Sequence, residues 1–430
     1  MRTPHLVPLL LALPCLAAPA LAADVTIIQC GHLLDTVQGK LLGETTLIIE
    51  GQRIRELRPG YQDVENANKV GLRDQTCLPG LIDSHTHLSF ETSATGATDR
   101  FRLNVADHAI RATLHARRTL DAGFTTVRNL GDGANISIAL RNSINAGLIP
   151  GPRIFTAGGS IGTTGGHADG TDGLRADLQG DPGPKDNIIN GVDDAWKAVR
   201  QHYKDHVDLL KIMPSGGVLD ESASADNAQM TVEEIRAVVA AAHDYGFTGA
   251  AHAHGSEAIH RAVTAGVDSI EHGTFMSDED LKRMKQKGTW YGPTIIAGKY
   301  VAEMAEKPGY YVPTVAAKAR QVGPVIQQTA GRAYRAGVKI AFGTDAAVYP
   351  HGQNAKEFQY MVEAGIPAMY ALQAATIHGA ELLRKSDELG SLEAGKLADV
   401  VAVDGNPLED ITAMQRVGFV MKDGKVHKMP

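Results

Sequence analysis

The stretch VDLLKIMPSGG, residues 207–217, sets a lysine inside an apolar run. Val207, Leu209, Leu210, Ile212 and Met213 show no alternation between an apolar and a polar face. That is the pattern of a strand buried on both sides, as in a parallel sheet. An ammonium group is out of place there, because taking it out of water costs on the order of several kcal/mol unless the charge is paired or lost. Lys211 therefore either escapes along the strand edge, meets an acid, or has a chemical task.

Working outward, similar short segments recur on both sides of it. LIDSHTHL (81–88), FTTVRNL (124–130) and RIFTAG (153–158) precede DLLKIM (208–213); TGAAHAH (248–254), SIEHG (269–273), TWYGPT (289–294) and KIAFGTD (339–345) follow it. Helical patterns separate them. TVEEIRAVVAAAHDYG opens with a capping box, Thr231 and Glu234, puts Ile235, Val238, Val239 and Ala242 on one face, and stops at Gly246. SEAIHRAVTAG runs from Ser256 to a stop at Gly266. Eight strand–helix units predict an α/β fold, a (β/α)8 TIM barrel whose chemistry lies at the C-terminal ends of the strands. A doubly wound sheet would want a glycine-rich phosphate turn after its first strand, and DSHTHLSF is not one.

Both chain ends have a different texture, short strands between glycine-containing turns: DVTIIQCGHLLDT and ETTLIIEGQRIRELRPG at one end, GSLEAGKLADVVAVDGN and GFVMKDGKVHK at the other. They are expected to join into one small β-sandwich domain, residues 23–79 with 386–430, around a barrel spanning 80–385. Residues 158–190, rich in Gly and Asp, form a loop long enough to be either a functional lid or disordered. The first 22 residues, with Arg2, an apolar core and Ala20-Leu21-Ala22, have the pattern of a secretory signal peptide. Cleavage near Ala22/Ala23 would give an exported, periplasmic protein with no membrane span. The net charge of −7 and the lack of a basic block argue against nucleic acid or an anionic membrane as partner. Cys30 and Cys77 remain after cleavage. They could pair in an oxidising compartment or serve as two small core residues.

The chemistry-bearing residues fall at the strand ends. His85 and His87 close the first strand and, two apart, face the same way. His252 ends the fifth strand, His272 the sixth and Asp345 the eighth, with Lys211 in the fourth. Each alone has an ordinary structural reading. Together, at the mouth of one barrel, imidazoles and a carboxylate are the ligand set of zinc-like metals.

At these motifs the chain resembles the amidohydrolase superfamily: LPGLIDSHTHL, LLKIM, AHAHG, IEHG and FGTDAAVYPHGQNAKEF occur in the expected order over nearly the whole mature chain. Within it, the chain is similar to the prolidase-like branch. That branch holds imidazolonepropionase-like dipeptidases cleaving Xaa-Pro or Xaa-Arg/Lys, and amidohydrolases that release phenylalanine from ochratoxin A. The resemblance implies two Zn²⁺, or other divalent ions, per subunit. His85, His87 and Asp345 would hold one, His252 and His272 the other, and Lys211, carboxylated by CO2 to N6-carboxylysine, would bridge them. A desolvated lysine has a lowered pKa, so its amine can react. Asp345 would act as general base and then acid in amide hydrolysis. The resemblance also suggests a homo-oligomer acting on a small amide or dipeptide.

Substrate contacts are less constrained. His254, two after His252, faces the same side and is a candidate for the substrate carbonyl or carboxylate, or for support behind the metals. His167 on the long loop has two readings, a substrate contact and a solvated side chain. Tyr203 and Tyr291 could donate to a carboxylate or simply pack. Arg128 could clamp a carboxylate or form an ion pair in the barrel. His351 is expected to order the loop beyond Asp345, whereas His202, His206, His243 and His260 fall among helices and should face solvent. The competing functional readings are a cyclic amidase or mononuclear deaminase of the same superfamily, and an inactive barrel used for binding or assembly. Lys211 argues against a one-metal site, and the complete ligand set argues against an inactive copy.

Overall fold

The computed structural model describes residues 25–430 apart from 100, 221 and 223; the expected leader, 1–22, and its cleavage point lie outside the described residues. The N-terminal strands are β1 (Val25–Asp35), β2 (Lys40–Leu42), β3 (Thr45–Glu50), β4 (Arg53–Pro59) and β5 (Asn68–Pro79). The barrel strands are β6 (Leu81–Thr86), β7 (Phe124–Asn129), β8 (Arg153–Thr156), β9 (Leu210–Ile212), β10 (Gly249–Ala253), β11 (Ser269–His272) and β12 (Trp290–Gly292). Near the C-terminus come β13 (Val400–Asp404), β14 (Val417–Lys422) and β15 (Lys425–Lys428).

The terminal strands form one eight-stranded sheet in the order β15-β14-β13-β5-β1-β3-β4, with β2 on β1. Ile28, Leu47, Leu72, Val400 and Phe419 fill its core. Cys30 and Cys77, left open by the sequence, are joined as a disulfide within that core, linking the parallel strands β1 and β5. β5 runs almost directly into β6. Arg153 at the start of β8 pairs with Asp399 (2.8 Å) and with Asp423, which fastens the sheet to the N-terminal side of the barrel. The opposite side, where the barrel strands end, is left free for a site.

β6-β7-β8 and β9-β10-β11-β12 are parallel ladders. They meet where Asp208 N–H donates to Thr156 O (2.8 Å) and where Ile161 bridges Ile212. The expected eighth strand, 339–345, makes no ladder. It closes the barrel through isolated bridges, Tyr291 with Ile340 and Thr86 with Ala346, and through Ser84 N–H to Phe342 O (2.7 Å). At its end the chain turns away: Asp345 and Ala347 take φ of 60° and 127°, and left-handed backbone cannot continue a pleat. The helix Val232–Asp244 starts at the expected capping box, with Thr231 accepting from Glu234 N–H. Within the 158–190 segment lie two short helical turns, Ala176–Gln179 and Pro184–Asp186. No helix among the described residues is long and apolar enough to cross a membrane.

Candidate functional site

Lys211 is buried in β9 and points into the barrel, where its Nζ lies 3.4 Å from His85 Nε2. His85 Nε2 is 3.3 Å, and His87 Nε2 3.1 Å, from Asp345 Oδ1. Two atoms each about 2.0–2.1 Å from a tetrahedral ion lie about 3.3 Å apart, so these spacings fit a shared metal. The ligand atoms of His85, His87 and Asp345 form one group within 4.8 Å of one another, and those of His252, His254 and His272 form another.

Each imidazole is aimed by its second nitrogen. His85 Nδ1–H donates to Glu271 Oε2 (3.0 Å) and His87 Nδ1–H to Gly131 O (2.9 Å). His252 Nε2–H donates to Gly216 O (3.0 Å), so its Nδ1 is the nitrogen left inward. His272 and His254 use Nδ1 on Thr294 and Thr274 Oγ1, both at 2.8 Å. His272 and Asp345 both have left-handed φ, 69° and 60°, strain of the kind that persists where surrounding contacts over-determine a site.

The electrostatics favour metal-binding forms. Burial lowers His85, His252 and His272, and takes His254 to about 3, so the rings are neutral. Burial pulls Lys211 down to about 8, with Glu271 and Asp345 opposing it, which leaves about a tenth of it as free amine at pH 7.

The group opens into a cavity of about 550 Å³. Its walls include Phe90, Val218, Leu219, Val301, Val322 and Ile326, and its polar lining includes His167, His254 and Asp132. Among the described lining residues, only Lys211 carries an ammonium or guanidinium group.

Residues 76–427 match the family described as the amidohydrolase family. The chain belongs to that family. It is a hydrolase acting on amide bonds. It is 30% identical to an ochratoxinase of Aspergillus niger over 97% of this chain and 89% of the relative. Among solved structures it is similar to a Xaa-Pro dipeptidase with bound methionine in the active site, at TM-score 0.92 and 47% identity, covering 94% of this chain and all (100%) of the other. It is also similar to a prolidase complexed with N-methylphosphonate-L-proline, at TM-score 0.84 and 32% identity over 95% and 100% of the two chains.

Of the expected substrate contacts in this amidohydrolase, the structure brings His254 and His167 to the cavity and removes three others. Tyr203 lies on the helix Val192–Lys204, 53% exposed and stacked on Tyr245. Tyr291 is buried, its hydroxyl donating to His272 O (2.9 Å), so it supports a site residue rather than a substrate. Arg128, 1% exposed, pairs with Glu271 (2.6 Å) below the site and is the ion pair rather than the clamp. His202, expected to face solvent, is buried and bonded to Ala157 O and Asn187 Oδ1 (3.0 and 2.9 Å). His351 does order its loop, donating Nε2–H to Phe90 O (2.9 Å) and stacking on His115.

Sequence reasoning missed Glu271, Asp132, Asp220 and the two threonines. Glu271 alone left a signal, a carboxylate beside His272 on a strand with no exposed face.

Proposed function

We propose that this amidohydrolase uses two divalent ions, zinc in the first instance, to cleave the amide bond that joins an acyl or aminoacyl group to a carboxylate-bearing amino acid. His85, His87 and Asp345 would hold one ion, His252 and His272 the other. Lys211 would lie between them as N6-carboxylysine, its amine adding to CO2 and losing a proton. When bound, the ions would supply Lewis-acid polarisation of the scissile carbonyl and water acidified to near-neutral pH. The observation that carries this reading is the 3.1–3.4 Å convergence of donor atoms from His85, His87, Lys211 and Asp345 at the floor of one cavity.

Asp345 is the carboxylate placed to take a proton from the attacking water and return it to the leaving nitrogen. His254 is stacked on His272 at 13° between ring planes. An ion lies in the plane of each imidazole that binds it, and stacked planes do not meet, which favours His254 as a substrate contact rather than a third ligand. Among the described lining residues none carries a guanidinium, and the polar part of the substrate would be met by His254 and His167. The apolar wall suits proline or an apolar side chain, in line with the Xaa-Pro dipeptidase, prolidase and ochratoxinase relatives.

The test is an amino-acid release assay on the zinc-loaded protein with Xaa-Pro dipeptides, N-acyl-phenylalanine, ochratoxin A and, as a contrast, Xaa-Arg dipeptides. Release of proline or an apolar amino acid is expected. Turnover confined to basic substrates, or zinc content well below two per chain, would refute the reading.

A further inference from the structure

Three segments distant in sequence meet at one carboxylate beside the cavity. Lys318 lies on the helix Pro313–Ala336 and is 3% exposed. A buried ammonium is tolerable only if its donors are answered, and here they are. Nζ donates to Asp220 Oδ1 (2.6 Å), to Asp220 O (2.8 Å) and to Gly217 O (2.9 Å). The other carboxylate oxygen of Asp220 accepts from Gly217 N–H (2.8 Å) and from His167 Nδ1–H (2.7 Å).

With Nδ1 committed, the ring of His167 is fixed in rotation and tautomer, and Nε2 is its remaining nitrogen on a residue that lines the cavity. The face of the ring is set by Gly217. A Cβ there would lie 2.0 Å from His167 Cε1, so only glycine lets the imidazole lie this close. Val322 and Ile326, about one and two helical turns beyond Lys318, line the same cavity. The helix that supplies part of the apolar wall is thus bolted to the imidazole that would meet the polar part of the substrate.

We propose that Lys318 is a positioning residue for the reaction, acting through Asp220 to hold His167 at its working place in the cavity. The proposal rests on the role given to His167 above. Lys318 touches no substrate; its effect passes through the Asp220 carboxylate and vanishes once His167 is gone.

The test is a double-mutant cycle on the zinc-loaded protein with its best substrate from the release panel, using Lys318→Met, His167→Asn and the pair, with Lys318→Arg as the conservative variant. Lys318→Met should lower kcat about tenfold or more, the scale of a slightly misplaced group, with KM within about threefold. Lys318→Arg should recover most of that loss, and the double variant should be no slower than His167→Asn alone. Losses that multiply in the double variant, or full activity of Lys318→Met, would overturn the proposal. If Lys318→Met fails to fold, Asp220→Asn enters the same cycle under the same criteria. Should the wild type release no amino acid at all, the functional reading fails by itself. The positioning role is then decided by the crystal structure of the Lys318→Met protein: a His167 ring moved off Gly217 supports it, and an unmoved ring refutes it.

Discussion

Glu271→Gln should cost both stability and metal affinity, and the two losses can be separated. The Glu271 carboxylate is fully buried. Oε1 receives Arg128 Nη2 and Ser269 Oγ, each at 2.6 Å, while Oε2 receives His85 Nδ1 at 3.0 Å. Burial would raise this carboxyl, but the Arg128 guanidinium and His85 bring it down to about 2, so it is charged at neutral pH. Glutamine keeps the shape and removes the charge. Arg128 would then face only neutral acceptors, Ser84 O and Ser269 Oγ. Breaking one half of a buried pair costs about 3–5 kcal/mol. Unfolding entropy of about 2.1 cal/mol/K per residue over roughly 400 residues is about 0.85 kcal/mol/K, so about 4 kcal/mol lowers Tm by about 5 °C. Scanning calorimetry of the metal-depleted protein reads this term alone. Zinc titration reads the second, a loss of about 10–100-fold in affinity as His85 loses its charged acceptor. Adding Arg128→Met removes the orphaned cation and should restore part of the stability without restoring zinc affinity. A metal-free Glu271→Gln protein melting within about 1 °C of wild type, or a double variant less stable than Glu271→Gln alone, would refute the reasoning.

Three further outcomes are expected. Lys211→Ala should leave fewer than two metals per chain by mass spectrometry and reduce turnover by about 10³-fold or more, the scale of losing two-metal activation; turnover within about tenfold of wild type would sink the bridging role. His351, 4% exposed, has its ring held down to about 3 by burial and by His115, against 6.5 when unfolded. Below pH 6.5 the unfolded chain binds the extra proton, so stability falls with pH. At pH 5 the loss is about 2 kcal/mol relative to pH 7.5, and His351→Gln should lack it. A difference in unfolding free energy between wild type and variant that is the same at both pH values would contradict this. Replacing both Cys30 and Cys77 by serine should cost about 4 kcal/mol of unfolding free energy for a loop of 47 residues. Free thiols at Cys30 and Cys77 in the denatured, unreduced wild type would show that the bond does not form.

The residues of the candidate site were legible in the sequence because each is a chemical exception to its strand. Lys211 breaks an apolar run, and the histidines and Asp345 fall at or near the ends of short strand-like segments. Period and position were enough to predict a barrel and to place these side chains at its mouth, since strand ends on one side of a parallel barrel converge whatever the details. The eighth segment shows where that reasoning stops. Its composition is strand-like, but it closes the barrel only through isolated bridges, and it ends in left-handed backbone at Asp345, whose carboxylate lies within 3.3 Å of two imidazoles.

What only the tertiary structure decided are the contacts between segments far apart in the chain. Arg128 and Tyr203 both look like plausible clamps by residue type. One turns inward to Glu271, and the other stays on a helix in solvent. His167 looks like a loop histidine until Asp220 and Lys318, 53 and 98 positions from their partners, close on it. Local sequence determines period, caps and the chemistry each residue brings. Which buried charges answer one another depends on how the loops above the barrel fold together, and burial makes that pairing obligatory because an unpaired charge there costs several kcal/mol, on the order of the whole margin of stability.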